Sequence, residues 1–89
     1  MPSEVLVIAF DSTQQALRTE MLLEYADIDI DIRPTPKEIT AGCALSIEFP
    51  GERLEEVQAI IQTESVEIRG VFRPMAGGGY EPIQEGAET

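Results

Sequence analysis

The sequence predicts an α+β protein: a ferredoxin-like βαββαβ sandwich, with a four-stranded antiparallel sheet and two helices on one face. Three observations carry this. An unbroken apolar run occupies residues 5–10, two short segments alternate strictly between apolar and polar, and each half of the chain holds one stretch of helical periodicity.

The run Val5-Leu6-Val7-Ile8-Ala9-Phe10 reads as a central strand, because a strand covered on both faces has no polar side. Ser12 followed by Gln15 makes a capping box, so a helix starts at Thr13 and runs to about Ala26. Its apolar set (Ala16, Leu17, Met21, Leu22, Leu23, Ala26) is broad and does not form one clean stripe. Ile28 to Arg33 alternates and predicts a half-buried strand, which Pro34-Thr35-Pro36 stops. Residues 43–49 alternate again, with Cys43, Leu45, Ile47 and Phe49 on one face, and Pro50-Gly51 breaks the strand. Leu54, Val57, Ile60 and Ile61 recur at helical spacing and predict a helix over about 52–63. Val66 to Phe72 completes the set as the last strand.

The usual strand order of such a sandwich, 4-1-3-2, puts the first and third strands in the middle, in accord with the apolar first strand. The sheet face away from the helices must then meet water or a second subunit, so a homodimer is compatible with the pattern. Residues 1–73 form one domain. Residues 74–89 read as a flexible, Gly-rich acidic tail, in which Gly77-Gly78-Gly79 opens no helix and so forms no phosphate loop.

Seventeen acids face six bases in the 89 residues, a formal net charge of -11. Such a surface repels phosphate backbones and anionic lipid, so neither nucleic acid nor membrane is an expected partner. No apolar run approaches the roughly 18 residues of a membrane span, and the start of the chain lacks the basic residues of a signal peptide. A cytoplasmic location is expected. The chain has one cysteine and no histidine, which excludes an internal disulfide and a Ser-His-Asp or Cys-His mechanism. It also leaves no set of zinc ligands. Neither a metal nor a cofactor is expected, and a carrier or binding protein fits better than a stand-alone enzyme.

The connection between the second and third strands is long for a hairpin, about nine residues where two to five suffice. Thr35, Pro36 and Glu38 fit a second capping box, which predicts one helical turn over 36–40, and Gly42 would let the backbone turn into Cys43. With the start of the third strand set beside the start of the first and near the end of the fourth, Cys43 would share one end of the domain with Arg33, Lys37 and Arg73. Positive charge favours the nucleophilic thiolate, which can accept and hand on a sulfur or selenium atom. Against this, Cys43 lies on the alternation face of Leu45, Ile47 and Phe49, where a cysteine is a small buried hydrophobe. The other reading of Arg33 and Lys37 is simple surface pairing with Asp29, Asp31 or Glu38. The residues leave both readings open.

The stretch from Pro34-Thr35-Pro36-Lys37-Glu38-Ile39 through Thr40-Ala41-Gly42-Cys43 to Ala44-Leu45 resembles the signature of the selenium/sulfur (Se/S) carrier protein-like family of small bacterial proteins. The resemblance covers roughly residues 5–73. It implies that Cys43 holds the chalcogen as a persulfide-type adduct. Pro34, Thr35, Pro36 and Gly42 would shape the loop, with Lys37 and Arg33 as cationic support. It also implies protein partners: a sulfur donor such as a cysteine desulfurase, and an acceptor protein. Many relatives have glycine after the cysteine, where this chain has Ala44. The alternative is a small non-catalytic regulatory or assembly module that binds a protein or small ligand through its sheet face or its Pro-Thr-Pro loop.

Overall fold

The computed structural model describes residues 4–39 and 41–83. β1 (Val5–Ala9) leads into α1 (Thr13–Tyr25), then β2 (Asp31–Pro34), β3 (Leu45–Pro50), α2 (Leu54–Thr63), β4 (Gly70–Pro74) and β5 (Tyr80–Pro82). All strand pairs are antiparallel, in the order β2-β3-β1-β4-β5. The sheet therefore has five strands, where four were expected. The fifth comes from residues assigned to a tail. The glycine run is its turn: Gly78 and Gly79 take positive φ angles of 97° and 83°, which glycine adopts without a Cβ penalty. The Gly78 N–H donates to Met75 O and the Met75 N–H to Gly79 O, which closes the hairpin. Residues 84–89 of the expected tail lie outside the described residues.

Both helices end in the same way. The Ile28 N–H bonds Leu23 O and the Asp27 N–H bonds Glu24 O, while Val66 and Ser65 repeat this on Ile61 and Gln62. This is the Schellman arrangement, which satisfies the last carbonyls of a helix and needs a left-handed residue after the cap. Asp27 (φ 64°) and Ser65 (φ 53°) fill that place without being glycine. The apolar residue that follows each, Ile28 and Val66, is buried in the core. The strands after the helices consequently start later than alternation predicts. Ile28 and Val66 are spent on helix termination, and β2 and β4 begin at Asp31 and Gly70. At the start of α1 the Ser12 hydroxyl accepts from the Gln15 N–H, but the Gln15 side chain does not complete the box; its Oε1 accepts from the Glu67 N–H instead.

The alternation of β1 separates two apolar clusters. Leu6, Ile8 and Phe10 face the helices and pack with Ala16, Leu23, Val57, Ile61, Ile47, Phe49 and Val71. Val7 and Ala9 face the other way and are buried by Ile39, with Ala41, Phe72 and Tyr80 around them. The helices thus lie on one face, and the chain's own β2–β3 loop and β5 hairpin roof the centre of the other. The expected meeting of that face with water or a second subunit is replaced there by internal packing. Apolar burial on both sides of β1 is what its unbroken run required.

Candidate functional site

Cys43 lies just before β3, next to the point where β1 hands over to α1. Its N–H donates to Phe10 O at 3.0 Å, two residues out of the β1–β3 register, which would set Leu45 opposite Phe10. The thiol is inside the protein, 4% exposed, and belongs to the helix-side core with Phe10 and Ala16. Two polar groups meet the sulfur: the Leu45 N–H donates to Sγ at 3.3 Å, and the Thr13 hydroxyl lies 3.4 Å from it. Thr13 is the first residue of α1, so the sulfur sits against the opening turn of that helix.

The loop, described over residues 35–39 and 41–42, leads into Cys43. Thr35 holds it closed at the base: its N–H bonds Ala44 O at 2.7 Å and its hydroxyl donates to Cys43 O at 3.0 Å. The predicted helical turn is absent from the described part of the loop. Pro36 O accepts from the Ile39 N–H in a β-turn, and the Thr35 hydroxyl that would have capped a helix is engaged with Cys43. Burial of Ile39 on Val7 and Ala9 pulls the turn onto the sheet. Thr40, inside the predicted turn, lies outside the described residues.

Gly42 is needed for close approach. A Cβ there would stand 3.0 Å from the Asp11 carbonyl oxygen and 3.3 Å from Asp11 Cα. In its absence, the Gly42 N–H donates to Asp11 Oδ1 at 2.8 Å. The other oxygen, Oδ2, pairs with Arg69 at 3.5 Å. Asp11 therefore ties the loop to the start of β4, a role that sequence reading did not assign. Its place between an apolar strand and a helix cap was the available signal, but nothing local named its partners.

The basic residues are arranged differently from the sequence expectation. β1 and β3 run antiparallel, with Val5 opposite Pro50 and Ala9 opposite Ser46, so the start of β3 lies beside the end of β1. Arg73 accordingly falls at the far end of the sheet, paired with Glu4 and Glu81. Arg69 occupies the Cys43 end, its N–H bonded to Ala9 O. Arg33 is on the edge strand with its guanidinium on Glu48 at 3.6 Å. Lys37 is exposed on the β-turn, and no ion pair to it occurs among the described residues. Pro34 closes β2 opposite Leu45, and Pro36 begins the turn. Of the expected loop residues, Thr35 bonds Cys43 and Gly42 precedes it, while Arg73 lies at the other end of the sheet.

An open groove of about 570 Å³ lies beside the site, between Asp11, Ser12 and Gln15 on one side and Ile61, Val66 and Ile68 on the other; Cys43 does not line it. Among the described residues no group of His, Cys, Asp and Glu could hold a metal ion. Among the described residues no helix is long and apolar enough to cross a membrane.

Fold and site together define a small α+β domain whose single thiol is packed in the helix-side core against the start of α1. The chain belongs to the family described as "Putative Se/S carrier protein-like", whose model matches residues 5–73. That match ends within β4, so β5 lies beyond it. No curated protein and no solved structure gives a match.

Proposed function

We propose that this protein is a sulfur or selenium carrier, in which Cys43 accepts the chalcogen from a donor persulfide and passes it to an acceptor protein. Family membership carries the reading. The surroundings of the sulfur support it: the Leu45 N–H and the Thr13 hydroxyl are polar partners for a sulfur that must bear charge during exchange. In the transfer step the Cys43 sulfur attacks the outer sulfur of the donor's persulfide. The new S–S bond forms as the old one breaks, and the donor cysteine leaves as a thiolate. No net oxidation occurs, so the step needs neither metal nor cofactor.

With the thiol 4% exposed, the attack requires a local opening that uncovers the Cys43 sulfur on the helix side of the sheet. The loop residues Pro34, Thr35, Pro36 and Gly42 shape the segment that leads into Cys43, and Lys37 is the cation available to a partner. The donor is of the cysteine desulfurase type, and the setting is cytoplasmic. The sheet is an elaborated ferredoxin-like one: the neighbour order β4-β1-β3-β2 supports this, with β5 added beyond β4.

The test is persulfide loading. The reduced protein is incubated with a cysteine desulfurase and cysteine, and its intact mass is measured. Wild type should gain one sulfur and Cys43→Ser none; equal loading of both overturns the proposal. A second reading rests on the burial of Cys43 in the core. There the protein is a non-catalytic regulatory or assembly module and the thiol only packs. That reading expects alkylation of Cys43 only on denaturation, and no loading.

A further inference from the structure

α1 carries an apolar face that none of the described residues covers. Its inner side is buried through Ala16, Thr19 and Leu23. On the outer side Leu17, Met21 and Tyr25, spaced i, i+4, i+8, are 47%, 69% and 94% exposed. This explains why the apolar set of the helix looked too broad: it serves two faces. Residues four apart in a helix lie one above the other, so the three form a continuous ridge. Three of the five exposed large hydrophobic residues of the described chain sit on it. Contiguous exposed apolar surface of this kind, with a polar border, is characteristic of an interaction site.

We infer that this ridge is a docking face for a protein partner that offers an apolar groove edged by lysine or arginine. Charge decides the occupant. Glu20 and Glu24 border the ridge, and no ion pair to either occurs among the described residues. Asp27, Asp29 and Asp31 follow directly beyond Tyr25. A second copy would bring these carboxylates, and a net charge of -11, against the same charges. A basic rim meets them with the opposite sign and steers the encounter. The ridge begins one turn beyond Thr13, whose hydroxyl touches the Cys43 sulfur, so a partner lying along α1 also reaches the Cys43 end. The inference holds on either reading of Cys43.

The probe is a synthetic helical peptide with a leucine stripe edged by lysines, titrated into the full chain and followed by amide chemical shifts. The control peptide has glutamates in place of the lysines. The lysine peptide should shift α1 signals around Leu17, Met21 and Tyr25, weaken with added salt, and lose roughly tenfold in affinity against Met21→Glu. Met21 is largely exposed, so that variant keeps the fold, and unchanged shifts elsewhere verify it. Three results overturn the inference: no binding, shifts spread over the acidic surface that Met21→Glu leaves intact, or a concentration-dependent dimer of the free protein that Met21→Glu abolishes.

Discussion

Replacing Gly42 by alanine tests the tether of the loop that leads into Cys43. The added methyl carbon would stand 3.0 Å from Asp11 O and 3.3 Å from both Asp11 Cα and Oδ1. Two of these are main-chain atoms at the β1–α1 junction, so the loop must move and a side-chain rotation cannot relieve the contact. Overpacking of this kind costs about 1–3 kcal/mol. Moving the loop also strains the 2.8 Å bond from the Gly42 N–H to Asp11 Oδ1, worth about 1 kcal/mol at an exposed position. The alanine returns under about 1 kcal/mol by stiffening the unfolded chain. The net loss is about 2 kcal/mol. With a urea slope of about 1 kcal/mol/M for a chain this small, the unfolding midpoint falls by about 2 M. Far-UV circular dichroism during urea titration measures it. Cys43 is the next residue, so its alkylation in the folded state should also accelerate. A midpoint within about 0.3 M of wild type would refute the argument from close approach.

Other perturbations follow from the same geometry. Asp27→Gly and Ser65→Gly should each raise stability by about 1 kcal/mol, because both residues hold the left-handed conformation at a helix end; an unchanged or lower urea midpoint counts against it. Ile39→Ala should cost about 2 kcal/mol and uncover Val7 and Ala9, seen as new binding of an apolar dye with α-helix content retained. Glu56 accepts hydrogen bonds from the Arg53 side chain, which holds its carboxyl below the ordinary value. A depressed carboxyl stabilises the fold above the unfolded value and loses that contribution as pH falls through the folded one. Carbon-detected titration should therefore give Glu56 a midpoint below the ordinary glutamate value, and Arg53→Ala should raise it.

The elements that sequence made visible were those with a local cause. β1 follows from an apolar run, α1 from Ser12 and its helix formers, and α2 from the spacing of Leu54, Val57 and Ile61. The misplaced boundaries share a different cause. Ile28 and Val66 look like strand residues because they are β-branched and apolar, yet each closes a Schellman motif through bonds to a residue five back. Their burial was legible, but its purpose was not. β5 was missed because glycines that permit flexibility are the same glycines that permit the positive φ angles of a tight hairpin. The loop motif around Cys43 was legible as a family signature, while its cationic end was assigned to Arg73 through a wrong strand direction. Arg69 takes that end, and only the register decides which of the two does.

Taken alone, the sequence determined that the chain has one thiol and no histidine, that β1 is central, and that a Pro-Thr-Pro loop leads into Cys43. These are properties of composition and short-range pattern. Tertiary structure decided that Cys43 is enclosed, that Thr13 and Leu45 meet its sulfur, that Asp11 ties the loop down, and that Leu17, Met21 and Tyr25 are left outside. Each of these depends on groups distant in the chain or on which side of a helix faces the sheet. Such relations arise only when the strands pair and the helices settle on the apolar side of β1.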